Sequence, residues 1–279
     1  MTPLQDSYRR CRALHRHHGT SYYAATWLLP AATRRHVHAL YGFCRYADDI
    51  VDGGSPGAAE ALERLGTRLF ADLAARRSDH PVLAAVVHTA VAFELDPGCF
   101  GRFLDSMAMD LSPRTYERFD DLLVYMDGSA AVIGELMLPL LAPTDPEAAA
   151  AARDLGIAFQ LTNFLRDVAE DLDRGRVYLP AVEVARFGVR DDLEARRTGP
   201  RWRSFMAFQI ARARRYYDSG ATGVALLPPA SARCVNAAHL LYGRILERIE
   251  KADYDVFTRR ATVPRWQKAA VAARLLRGG

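Results

Sequence analysis

Two runs of acidic residues carry the chemistry this sequence can offer. Asp48-Asp49-Ile50-Val51-Asp52 closes an apolar, aromatic stretch, and Asp48 and Asp52 are four apart. On a helix that spacing puts both carboxylates on one face, about 5–6 Å apart at Cβ. Like charges so placed destabilise a helix, and carboxylates near its C-terminus meet the negative end of the macrodipole. The run works against local preference, as expected where a cation will sit. Alone, it fits a solvated acidic helix end as well as a metal site. The second run, Gln160 to Asp171, shifts that balance. Asn163, Asp167 and Asp171 fall at i, i+4 and i+8, a line of oxygen ligands down one helix, with Gln160 one turn above Asn163. Leu161, Phe164, Leu165 and Val168 supply the packing face, and Glu170 is displaced from the stripe. Two such faces opposed across a bundle make a cage of hard oxygen donors. That suits Mg²⁺, which keeps several waters and is usually completed by substrate phosphates. No Cys/His cluster accompanies the acids, which disfavours zinc.

These motifs must ride on helices. Apolar residues recur at spacings of three and four, and sustained Val/Ile alternation is scarce, so the fold class is all-α. Helices are expected at about 31–51, 58–76, 81–94, 97–110, 119–141, 146–172, 200–220, 229–252 and 264–277. Asp96-Pro97 and Asp145-Pro146-Glu147 read as helix starts, with a capping carboxylate before proline. Gly53 to Gly57 and Ser112-Pro113 read as loops. The two motifs lie more than a hundred residues apart yet must meet, which argues for a single domain over 1–279.

Composition excludes little. No stretch approaches the roughly 18 consecutive apolar residues of a membrane span, and Met1 to Gly19 has no apolar run of a secretory signal. An intracellular, cytoplasmic protein is expected. The four cysteines are not at metal or redox spacing. Only Lys251 and Lys268 are lysines among 37 basic residues, and the arginines are scattered, so nucleic acid is not an expected partner. His15, His17 and His18 are expected to be exposed, His36 and His38 to point to different helix faces, and Cys44 to be a packed thiol. Glu135 receives no role.

The stretch Leu40 to Asp52 resembles the first aspartate motif of squalene and phytoene synthases, and Asn163 to Asp171 with the tail Arg174-Gly175-Arg176-Val177-Tyr178-Leu179-Pro180 resembles the second. His18 to Tyr22 with Leu28-Leu29-Pro30, Tyr125 to Gly134, and Tyr242 through Phe257 are similar to further family segments. Bacterial phytoene synthases are the nearest subgroup. The resemblance implies a single isoprenoid synthase helical bundle around a central cavity. It implies two allylic diphosphates as substrates, geranylgeranyl diphosphate or alternatively farnesyl diphosphate. Condensation would run through a prephytoene-type cyclopropyl diphosphate, with Mg²⁺ (Mn²⁺ as substitute) and without NADPH. Asp48, Asp52, Asn163, Asp167 and Asp171 are the implied metal ligands, with Asp49 a second choice. Tyr41, Arg45 and Tyr242 are the implied catalytic residues, and Ser21, Tyr22, Arg45, Gln160, Asn163, Arg166, Arg176 and Tyr178 the implied substrate contacts.

One departure stands out. The family's opening segment often has a basic residue where this chain has Thr20, so a phosphate contact must come from Arg45, Arg166, Arg176, Arg259, Arg260 or Lys268. Thr26 and His38 are smaller than aromatics that would shorten a tunnel, a hint towards a C20 substrate. Small Ala130, Ala131 and Gly134 serve close helix packing or room for a prenyl chain. The apolar product implies peripheral contact with the inner face of the cell membrane. A farnesyl-using relative, a single-substrate cyclase and a non-catalytic scaffold are the competing readings.

Overall fold

The structure, a computed structural model, describes residues 2–53, 56–112 and 114–277. Gly54, Ser55 and Pro113, within two of the expected loops, lie outside the described residues. Among the described residues fifteen α-helices run in chain order: α1 (Pro3–His18), α2 (Thr20–Thr26), α3 (Ala31–Asp52), α4 (Ala58–Ala74), α5 (Leu83–Ala92), α6 (Pro97–Met109), α7 (Phe119–Met126), α8 (Val132–Met137), α9 (Ala148–Arg166), α10 (Val168–Asp173), α11 (Ala181–Phe187), α12 (Arg190–Glu194), α13 (Pro200–Thr222), α14 (Pro229–Lys251) and α15 (Arg265–Arg277). Among the described residues the only β-pairing is an isolated bridge, Thr115 with Val177.

Local chemistry starts the helices where the sequence signals them. Asp96 accepts from the Gly98 amide at 2.8 Å, ahead of Pro97 in the first turn of α6. Asp145 also accepts from the Glu147 amide at 2.8 Å, but in the turn before α9, whose N-cap Glu147 has no side-chain cap. Four helices were not expected: α1, α2 and the short α11 and α12. The first starts with a capping box: the Thr2 side chain accepts from the Gln5 amide and the Gln5 side chain accepts from the Thr2 amide. Its buried face is Ser7, Cys11 and His15, at helical spacing but too polar to register as an apolar stripe.

Two expected long helices are interrupted. The 119–141 segment passes through a π-helical stretch at Asp127–Ala131. A wide turn of this kind often marks a functional region. By length and composition this segment could cross a membrane, but here it packs in the bundle. On its outer side Asp127 and Glu135 form an ion-paired ring with Arg102 of α6 and Arg153 of α9 (Arg102–Asp127 3.1 Å, Arg153–Asp127 2.6 Å). Glu135 thereby gains its role. The expected 146–172 helix breaks at Asp167, whose backbone leaves the helical region (φ −104°, ψ 16°).

The core gathers around α9, which packs most extensively on α13 and also on α8, the π stretch and α14, while α1 lies along α3. Close approach explains the small residues in part. A Cβ at Gly134 would sit 2.2 Å from the Ala152 carbonyl oxygen of α9. Ala131 is fully buried, whereas Ala130 and Gly134 also line the central cavity, so packing and room for a ligand are both served. Gly134→Val should destabilise the protein by about 1–3 kcal/mol through overpacking. Urea unfolding would detect this, and an unchanged midpoint would refute the close helix contact.

Candidate active site

The bundle encloses one large cavity of about 740 Å³. Every site residue expected from the sequence lines it. Ser21 and Tyr22 come from α2, and Tyr41, Arg45, Asp48 and Asp52 from α3. Gln160, Asn163 and Arg166 come from α9, followed by Asp167 and Asp171 at and after the helix break. Arg176 and Tyr178 come from the tail after α10, and Tyr242 from α14. Folding therefore brings residues more than a hundred positions apart onto one surface. Asp49 is the exception among the second choices: it pairs with Arg45 and does not line the cavity.

The carboxylates sit at the solvent-facing end, among arginines. Arg45 donates to Asp48 at 2.7 Å. Arg176 donates to Asp52 at 2.8 Å, with Arg174 3.7 Å from the same carboxylate. Asp167 is held by Arg166, at 2.5 and 2.7 Å, and by Arg260, at 2.7 and 3.0 Å. Glu170, set aside from the stripe in the sequence reading, lines the cavity too and lies 3.3 Å from Arg260. Burial works against the charged form of Asp167, but the two guanidiniums outweigh it and hold the carboxyl below its ordinary range. Its neighbours are less compensated. Burial and then the adjacent Asp52 push Asp48 up to about 6. Burial and then Asp167 push Asp171 up to about 7. Beside them, Asn163 Oδ1 is buried without a hydrogen-bond partner, although its amide nitrogen donates to Gln160 at 3.2 Å.

The departure at Thr20 is answered from the far end of the chain. Lys268 of α15 donates to Thr20 Oγ1 at 2.6 Å and lines the cavity, as does Arg260, while Arg259 does not. Burial, then Arg265 and Arg166, press the Lys268 pKa down. Away from the charges the walls are apolar and aromatic. Tyr22 stacks on Tyr242 with centroids 4.3 Å apart, and Phe159 packs against both. Thr26 lines this part, but His38 does not, so only Thr26 bears on the space available to a prenyl chain. Cys44 lines the cavity with its thiol pushed up to about 12 by burial, an unreactive packed group as expected.

Residues 15–267 match the family model of squalene/phytoene synthase. The chain belongs to the squalene/phytoene synthase family. It is 37% identical over 279 residues to a phytoene synthase of Arthrospira platensis, covering 94% of this chain and 90% of that one. It is 37% identical over 288 residues to a 15-cis-phytoene synthase of Synechococcus elongatus, covering 96% and 92%. Among solved structures it is similar to a dehydrosqualene synthase in complex with ligand (TM-score 0.89, 26% identity, 99% and 98% covered). It is also similar to squalene synthase HpnC of Alicyclobacillus acidocaldarius (TM-score 0.82, 29% identity, 90% and 96% covered). The all-α isoprenoid synthase fold is thus that of the family.

Sequence reasoning misplaced one histidine and missed one acid. His17 and His18 are exposed, but His15 is only 1% exposed and lines the cavity. It stacks flat on Tyr41, centroids 4.0 Å apart, and its Nδ1 lies 2.9 Å from Nδ1 of buried His38. His36 points elsewhere, to Tyr8 and Thr89, as the two-residue spacing implied. The signal for His15 was its place in the stripe Ser7, Cys11, His15. Asp110 also lines the cavity, but no spacing partner in the sequence marks it.

The histidine pair gives a pH dependence. Burial and then His38 lower His15 well below the usual 6.5, and burial then Arg12 and Arg34 lower His38 to about 4. An unfolded imidazole takes up a proton near pH 6.5 that folded His38 refuses until near pH 4 and that folded His15 also resists, so the pair's stabilisation is complete above 6.5 and is lost as pH falls below it. Asp48 and Asp171, raised in the fold, act in the opposite sense. The wild-type unfolding midpoint should therefore fall more on acidification through this window than that of a His15→Leu/His38→Leu double variant. Parallel curves would remove the pair as the cause.

Proposed function

We propose that this chain joins two geranylgeranyl diphosphates head to head to give phytoene, the committed chemistry of a carotenoid pathway. One combination carries the reading: relatives named phytoene synthase match nearly end to end, and both aspartate motifs here face one cavity with an apolar interior. The oxygen-only donor set fits Mg²⁺, with Mn²⁺ as substitute. Asp48, Asp52, Asp167 and Asp171 would hold it, with the unpartnered Asn163 Oδ1 as a further donor. Among the described residues no three acidic, thiol or imidazole groups are close enough to hold a metal by themselves. When bound, the ion supplies charge neutralisation that makes diphosphate a better leaving group.

The chain's own groups do the rest. Arg45, Arg166, Arg176, Arg260 and Lys268 offer positive donors to a diphosphate at the open end. Tyr22, Tyr41 and Tyr242 present ring faces to a cation. The buried aromatic walls exclude the water that would quench it. NADPH has no part in the reading, since phytoene needs no reduction. The apolar product also argues for peripheral contact with the cytoplasmic face of the cell membrane. Trp27 at the end of α2 and Trp266 on α15 support it, 54% and 70% exposed on helices that pack together. Liposome flotation should recover the protein in the floating fraction, and its absence there with and without substrate would refute the contact.

The test of function is product analysis with geranylgeranyl or farnesyl diphosphate and Mg²⁺, with and without NADPH. A C40 polyene formed from the C20 substrate independently of NADPH is expected. A C30 product would move the chain to a farnesyl-using relative, and a cyclised monomer to a cyclase. In the same assay Asp48→Ala and Asp167→Ala should each lose at least about 100-fold of turnover while keeping the wild-type circular dichroism. Normal turnover in either would overturn the ligand assignment.

A further inference from the structure

Asp110 immediately follows α6 and lines the cavity outside both aspartate motifs. Two phenols hold its carboxylate: Tyr125 donates to Oδ2 at 2.5 Å, and Tyr178 donates to Oδ1 at 2.8 Å. Asp48, Asp52, Asp167 and Glu170, on the same cavity, are each paired with a guanidinium instead, and Asp171, which among the described residues has no ion pair, belongs to the second motif. Among the described residues no guanidinium pairs with the Asp110 carboxylate. Arg176 reaches only its backbone carbonyl, at 3.1 Å.

An aromatic wall surrounds this acid. Tyr178 stacks on Phe164 with centroids 4.1 Å apart, and Tyr125 and Tyr116 follow at 5.5 and 6.0 Å from Tyr178. Ring faces attract cations, more so when water is excluded. A carbocation lodged against this wall lies beside a carboxylate with which, among the described residues, no guanidinium is directly paired. Burial raises the Asp110 pKa above the ordinary value despite the two phenol hydrogen bonds, so the group can hold a proton.

We propose that Asp110 is the proton acceptor of the head-to-head reaction, taking the proton lost as the cyclopropane ring closes. The proposal rests on the reading in the preceding subsection. After the allylic cation has bonded to the second chain's double bond, positive charge sits on that chain's adjacent carbon. A C–H bond on the former allylic C1 breaks, and its electron pair bonds to this cationic carbon to close the three-membered ring. The proton goes to an Asp110 oxygen, and the diphosphate released at ionisation carries the balancing charge. Tyr125 and Tyr178 are positioning residues that keep the carboxylate turned to the cavity.

The experiment uses Asp110→Asn in the full chain, with geranylgeranyl diphosphate either unlabelled or deuterated at C1. The cyclopropyl diphosphate intermediate is also supplied directly. Turnover from the C20 diphosphate should fall at least about 100-fold, with a C1 deuterium isotope effect larger than in wild type. Turnover of the supplied intermediate should stay near the wild-type rate, because the affected step has been bypassed. Equal losses on both substrates without a larger isotope effect would mark a packing role and overturn the proposal, as would unchanged turnover. If Asp110→Asn fails to fold, a Tyr125→Phe variant is held to the same pattern and the same refutation. Farnesyl diphosphate labelled at C1 is run in parallel. A wild type that condenses only the C15 substrate corrects the chain length and leaves the proton acceptor to be judged on that substrate. A wild type with no head-to-head product overturns the proposed function and this assignment with it.

Discussion

Negative charge concentrated at one end of a largely apolar cavity is the constraint on which the rest of the structure depends. Asp48, Asp52, Asp167 and Asp171 face a common space from two separate helical segments. Carboxylates gathered in this way repel each other and resist burial, and the raised pKa values of Asp48 and Asp171 express both effects. The fold offsets part of that cost with arginines: Arg45 on Asp48, Arg176 on Asp52, and Arg166 with Arg260 on Asp167. The same guanidiniums line the place where a diphosphate would enter. That end thus carries carboxylates and guanidiniums side by side.

Holding that arrangement still explains features remote from it. Asp167 sits at the break between α9 and α10, where two guanidiniums grip its carboxylate. The π-helical stretch opposite α9 is fastened on its outer side by the ring of Arg102, Asp127, Arg153 and Glu135, and its inner side contributes Ser129 and Ala130 to the cavity. Tyr41 is backed by His15, and a side chain at Gly19 would meet the Tyr41 ring at 2.6 Å. Rigid backing of this kind keeps site groups in place more reliably than loops would. The C-terminal helix completes the open end by bringing Lys268 onto Thr20.

The sequence by itself determined the helical class, most of the long helices and the two carboxylate stripes. Those properties are periodic, and periodicity is local. It also marked most of the cavity residues that belong to a motif, from Ser21 to Tyr242, because motif spacing and family resemblance coincide there, but not Glu170 and Arg174. What it left out has no local signature. The stripe of α1 is Ser7, Cys11 and His15, polar enough to pass for an exposed helix until α3 covers it. The breaks at Asp127 and Asp167 depend on partners brought from α6, α9 and the segment beyond α14. Asp110 stands alone in the chain, and only the folding of Tyr125 and Tyr178 around it distinguishes it from a surface acid. Tertiary structure decided these points because burial, pairing and pKa are set by neighbours in space, and those neighbours lie up to 248 positions away along the chain.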